Sequence, residues 1–293
     1  MTDAQTLEAT ASRAARLGRT RVPWFSLAFL VIVVVSAIFA PWIAPDDPEL
    51  GRLRDRLIPP FWQEGGSMDH IFGTDLLGRD VFSRVVFGAR ISLAVGFLSV
   101  AIAGTVGSII GMIAGYYKGW VDALLMRLTD MTLALPLILM AIVLVAILGS
   151  PSFSKVVLTI VILRWAFYAR QVRGETLAVM EQPYIDLARI SGASTRRILF
   201  RHVLPNVMPS LLVLATLNVA LIILVEASLS FLGAGIPPPT PAWGLMVAEG
   251  RDLIKTSWWV SIIPGVAIFL TVLAVNLAGD WLRDRVDPRL RQI

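Results

Sequence analysis

Apolar residues along this chain come in long unbroken blocks. They follow neither the in/out alternation of a strand nor the one-sided stripe of a surface helix. Ile91–Tyr117 runs 27 residues without a charge, and Val203–Val225 and Ser257–Gly279 run 23 each. About 20 helical residues cross the hydrocarbon layer, and a soluble core helix rarely needs so many in a row. In lipid the backbone must satisfy its own hydrogen bonds, so such segments are helical, and the lack of alternation excludes barrel strands. The pattern predicts an all-α membrane protein with six transmembrane helices, at about 24–44, 91–116, 123–149, 155–173, 206–233 and 257–281. The fourth is the shortest and carries Arg164, which must face protein, water or a partner carboxylate rather than lipid. Pro136 falls inside the third and predicts a kink.

The segments divide the chain into a tail at 1–23, a first span with an outer segment at 24–90, a five-span core at 91–285 and a tail at 286–293. The opening is read as an uncleaved span, because the apolar run is too long for a signal-peptide core and no small-x-small cleavage site precedes Pro41. With both termini inside, the inner segments carry 15 basic and 9 acidic residues, and the outer ones 9 basic and 10 acidic. That bias predicts cytoplasmic N and C termini.

Composition removes several functions. The chain is 56% hydrophobic and 16% charged, outside the soluble range. Its net charge of +5 is spread between the apolar blocks, with no basic-aromatic stripe for nucleic acid. There is no cysteine for thiolate chemistry, and only His70 and His202 are available to build a metal or catalytic site. No G-x-x-x-x-G-K-[ST] loop is present to cradle ATP phosphates.

The most informative stretch is polar. Glu181–Asn206 reads EQPYIDLARISGASTRRILFRHVLPN, too polar to span yet helical in period, with Leu187, Ala188, Ile190 and Ser191 on one side. Gly192 suits a helix end, Ser194 or Thr195 suits the cap of a second helix, and Pro205 predicts a break before the fifth span. On physics alone this is a helix, a corner and a helix on the inner side, or an amphipathic interfacial connector.

The pattern resembles the cytoplasmic EAA loop of bacterial ABC import permeases, EAA-x3-G-x9-I-x-LP. Asp186-Leu187-Ala188 stands for EAA, with Gly192 and Leu204-Pro205 in register; the departures are Asp for Glu, Leu for the first Ala and His202 for Ile. Phe72–Leu93, FGTDLLGRDVFSRVVFGARISL, resembles the signature before the second span of C-type subunits of dipeptide, oligopeptide, nickel and glutathione importers. Leu229–Met246, LSFLGAGIPPPTPAWGLM, resembles their outer segment. The resemblance covers about residues 24–285. It implies the type I ABC importer permease fold, with a coupling-helix loop at about 180–205. Asp186, Leu187, Ala188, Arg189, Gly192, Ala193, Leu204 and Pro205 would then form the contact with a separate ATPase.

The same resemblance implies a bacterial inner-membrane location and several partners: a homologous permease subunit, two ATP-binding subunits and an extracytoplasmic substrate-binding protein. ATP and Mg2+ would be bound by the ATPase subunits, no cofactor or metal by this chain, and no catalysis is expected in it. Di- or oligopeptides are the implied cargo, with nickel or glutathione as alternatives. A secondary transporter or channel is the reading from another class, and would call for an inverted repeat and coupling acids within the spans; a membrane-embedded enzyme would need a catalytic constellation.

Within the spans, Glu226, Arg164 and Asp130 are the candidate pathway residues. Glu226 either lines a path and meets a peptide ammonium, or is buried with a partner such as Arg164, or is protonated. Asp130 either lines the path or pairs with Arg127 at i,i+3. Gly107, Gly111 and Gly115 predict close helix packing or a flexing point. The outer set Gly73, Thr74, Asp75, Gly78, Arg79 and Asp80 reads as turns anchoring the outer loop rather than as a calcium cluster, and His70 as a surface or turn residue.

Overall fold

The computed structural model describes residues 22–286, so the tails at 1–23 and 286–293 lie almost wholly outside them. The order is α1 (Trp24–Ile38), α2 (Ala40–Ile43), α3 (Val81–Tyr117), α4 (Gly119–Ala134), α5 (Leu137–Ile147), α6 (Phe153–Met180), α7 (Pro183–Ile190), α8 (Thr195–Ile198), α9 (Leu204–Phe231), α10 (Trp243–Gly250) and α11 (Trp259–Val286). Every described element is helical apart from one isolated bridge, Thr74 to Asp80. By length and composition, α3, the continuous stretch Thr195–Phe231 and Trp259–Arg285 each suffice to cross a membrane. The bent pair α4–α5 can make a fourth span, and α1 is a shorter apolar helix. The remaining predicted span lies within α6, whose arginines make it too polar for a lipid-facing helix.

The two prolines behave differently from the sequence expectation. The third span does not merely kink: α4 and α5 meet at 96°. Leu135 is extended (φ −85°, ψ 137°) because the ring of Pro136 disfavours the helical region for the residue before it. Pro205, in contrast, does not break the chain. Residues 199–203 form a π turn, where the Leu204 N–H donates to the Leu199 carbonyl, and the helix runs on into α9. Proline in the first turn of α9 lacks a donor that the wider turn has already left without an α-helical acceptor.

The core is built on α3 against α6. A Cβ added to Gly107 would lie 2.3 Å from the Trp165 carbonyl oxygen, one on Gly111 2.5 Å from that of Ala169, and one on Gly115 2.7 Å from the Thr176 Cβ. The three glycines therefore form the groove that seats α6. Their role in packing is direct.

At its N-terminal end α3 begins ten residues before the predicted span, capped by Asp80, whose carboxylate accepts the Ser83 N–H at 2.7 Å. Arg84, near the start of α3, is buried in an ion network, whereas Arg90, which set the start of the predicted span, is exposed. Asp75 accepts Arg79 Nε at 2.7 Å and Arg84 Nη1 at 2.5 Å, while Glu249 on α10 accepts Arg84 Nη1 at 2.7 Å and Arg79 Nη2 at 3.1 Å. The Trp243 and Trp259 indoles donate to the carbonyls of Val85 and Thr74. The outer motifs are thus one knot joining the outer loop, α3 and α10. We expect Arg84→Met to lower stability by about 3 kcal/mol, because one arginine is left facing two carboxylates in a buried site. Thermal unfolding of the purified protein measures this; an unchanged midpoint would contradict the network.

Candidate functional site

Towards the C-terminal ends of α3 and α6 the chain carries a short helix, α7. Pro183 occupies the first turn of α7, where a missing N–H costs nothing, and Asp186 lies near its N-terminal end. One residue pins the helix: Ile185 is fully buried, in a cluster with Met112 of α3, Val172 and Met180 of α6, Ile198, Val203 and Val207. Burial of such a side chain is worth about 1.5–3 kcal/mol, enough to hold one face of an eight-residue helix in place. The opposite face is bare. Leu187 is 64% and Ile190 84% exposed, and Tyr184 is also exposed. An uncovered apolar ridge of this kind is the type of surface that marks interaction sites.

The corner is made by Gly192, at φ +76°, a conformation with little penalty only for glycine. The Gly192 N–H donates to the Arg189 carbonyl and the Ala193 N–H to that of Ala188, closing α7. Ser194 then caps α8 through the Arg197 N–H. Asp186 pairs with Arg189 at 3.4 Å on the exposed surface. Pro205 lines a shallow cleft with Ser194, Arg196, Arg197, Phe200 and Arg201, while Ala193 and Leu204 pack on the buried cluster. The candidate residues of the loop therefore divide between the exposed α7, the corner, the cleft beside Pro205 and the edge of the buried cluster.

Three supports escape the sequence pattern. Tyr116 Oη and Thr195 Oγ1 are hydrogen-bonded at 3.0 Å, joining α3 to α8. The rings of Tyr184 and His202 lie 6.2 Å apart, joining α7 to the π turn. Lys118 Nζ donates to Glu181 at 2.8 Å and holds that carboxyl below the usual carboxylate range. This surface pair is intact at neutral pH and fades only as acid reaches the lowered carboxyl. Each partner lies far along the chain or on another element, so only an aromatic or charged residue type hinted at it.

Residues 107–292 match the family described as "Binding-protein-dependent transport system inner membrane component". The chain belongs to this family of ABC importer permeases. Residues 12–60 also match the N-terminal transmembrane domain of oligopeptide transport permease C. The permease is 46% identical to the di/tripeptide transport system permease protein DppC of Pseudomonas aeruginosa, over 90% of this chain and 87% of that one. It is 45% identical to the glutathione transport system permease protein GsiD of Escherichia coli, over 94% of this chain and 89% of that one. Its fold matches the inward-facing MetNI methionine ABC transporter with a TM-score of 0.57 at 18% identity, covering 70% of this chain and 97% of that chain.

Within this permease the three intramembrane candidates do not meet. Glu226 is fully buried; Ser92 Oγ donates to its Oε2 at 3.2 Å and Ser230 Oγ to its Oε1 at 2.8 Å. Ser230 Oγ also accepts the Ile236 N–H, so Glu226 ties α3 and the end of α9 to the outer segment. Its partner is not Arg164. That guanidinium hydrogen-bonds Asn218, two turns earlier on α9, and sits 4.9 Å over the Phe167 ring. Asp130 is exposed and pairs across helices with Arg170 rather than with Arg127 on its own helix. Asp122 does the same with Arg173, through two contacts of 2.6 Å. The two pairs clamp α4 to α6, which an i,i+3 pair within α4 would not do.

Proposed function

We propose that this permease forms half of the translocation pathway of an ATP-driven importer of di- and oligopeptides. It pairs with a homologous permease, receives cargo from an extracytoplasmic binding protein and is driven by two ATP-binding subunits beneath it. Both termini lie in the cytoplasm, the side to which the basic residues are biased. ATP and Mg2+ bind on the ATPase subunits; this chain carries no catalytic residue and needs no cofactor of its own.

The observation that supports this reading best is α7, held to the bundle by Ile185 with Leu187 and Ile190 uncovered below. A nucleotide-driven closure that gripped the ridge would push on the cluster beneath Ile185, and so on α3 and α6 together. Asp186, Leu187, Ala188, Arg189 and Gly192 form the gripped piece, with Ala193, Leu204 and Pro205 behind it. Glu226, Arg164 and Asp130 would then act on the pathway by holding the helices that border it. Peptide cargo is favoured by the names of the two relatives, since di- and tripeptides and glutathione share a backbone amide with free termini.

Uptake by proteoliposomes containing the permease and its partners tests the proposal. We expect ATP-dependent accumulation of labelled dialanine at least tenfold above a control with an ATPase-inactive partner. Accumulation of Ni2+ but not peptide would overturn the cargo. Uptake by this chain alone, driven by an ion gradient without ATP, would overturn the class.

A further inference from the structure

We propose that Asp46, His70 and Asp80 form a binding site for a divalent cation of the zinc type on the outer side of the permease. Three segments converge there: the stretch following α2, the outer loop, and the N-cap of α3. His70 Nδ1 lies 3.1 Å from Asp80 Oδ1 and 3.9 Å from Asp46 Oδ2, and the three ligand atoms lie within 4.8 Å of one another. Zinc takes nitrogen and oxygen ligands at about 2.0–2.2 Å, which in a tetrahedron places ligand atoms roughly 3.3–3.6 Å apart. The observed spacing brackets that value. One imidazole with two carboxylates suits zinc and its borderline neighbours rather than Ca2+ or Mg2+, which prefer six or more oxygens.

The site is held in place before any ion arrives. Asp80 uses Oδ2 to accept the Ser83 N–H, which leaves Oδ1 turned towards His70. The Asp46 N–H donates to Ser83 Oγ at 3.2 Å, so both acids are fastened to the first turn of α3. The Asp80 side chain is fully buried, that of His70 is 15% exposed and that of Asp46 43% exposed. The set is therefore rigid on one side and open to water on the other. Open access supplies an entry path and room for a water as fourth ligand.

Charge separates this cluster from its neighbour. Asp75, five residues from Asp80, is matched by Arg79 and Arg84. Among the described residues neither Asp46 nor Asp80 forms an ion pair with lysine or arginine; His70 is the partner of both. Two carboxylates around a neutral imidazole carry two negative charges, and a divalent cation neutralises them where a protonated His70 would cancel one.

Equilibrium dialysis of the complete importer, purified through an affinity tag without histidines and stripped with chelator, tests the site with Zn2+ alone. The chain has just two histidines, so His202→Ala, on the inner side, is an internal control. We expect one Zn2+ per permease chain, a higher melting temperature with Zn2+, and visible absorption of tetrahedral type when Co2+ replaces it. His70→Ala and Asp46→Asn should each weaken Zn2+ at least tenfold, and His202→Ala should not; Asp80 is left intact because it caps α3. Zn2+ binding equal in wild type and both variants, or no binding to the wild type, would overturn the proposal. So would a melting temperature that responds to His70 only through pH and is indifferent to Zn2+.

Discussion

Gly107→Leu is expected to prevent α3 and α6 from packing. A Cβ at this position meets the Trp165 carbonyl at 2.3 Å and the Tyr168 Cβ at 2.7 Å, and the Ala169 nitrogen lies 3.0 Å away. Two of these atoms are backbone, so rotamer changes cannot relieve the clash and the helices must separate along the seam. Separation also strips Tyr168 and Ala169 of contacts in the most buried part of the bundle. We expect a loss of more than ~4 kcal/mol, beyond the usual range for one substitution. The matched control is Gly265→Leu in α11, where nothing lies within 4 Å of the added Cβ. Gly107→Leu should give little monodisperse protein in detergent and a collapsed melting transition, whereas Gly265→Leu should behave as wild type. Equal melting of the two would show that the seam is looser than described.

Gly192→Val should act on coupling rather than on assembly. At φ +76° a β-branched residue clashes with its own backbone, and the cost of the left-handed region is about 1–2 kcal/mol per residue. The surroundings are open, with nothing within 4 Å, so the strain is local and the bundle does not feel it. To escape it, the corner between Ile190 and Ser194 must rearrange, which turns α7 and its Leu187–Ile190 ridge relative to α8. We expect the complex to co-purify with its ATPase subunits and still hydrolyse ATP, while ATP-dependent peptide uptake falls at least tenfold. Gly192→Asn, which tolerates positive φ, should recover most of the uptake. Undiminished uptake by Gly192→Val would refute the lever.

The inner loop was legible because its signals are local. Gly192 at a corner and a cap at Ser194 or Thr195 are each dictated by the residue's own backbone or its near neighbours, and the structure chooses Ser194. Pro136 was legible in kind, though its effect is a 96° turn rather than a kink. Pro205 misled, because a π turn just ahead of it absorbs the missing donor. Partnerships between side chains were the least legible. Asp130 has an arginine three residues before it, yet bonds one 40 residues away; Glu226 and Arg164 look like the obvious ion pair, yet each takes a neutral partner.

The amino-acid sequence by itself determined the solvent and the architecture: long charge-free blocks have no alternative to membrane helices, and the polar loop between them has no alternative to the surface. Tertiary structure alone decided which charges neutralise each other and which surface stays bare. The reason is range. Backbone hydrogen bonding and burial from water act on each segment independently, whereas an ion pair, a glycine seam or the His70 cluster exists only once segments far apart in the chain come within a few ångströms.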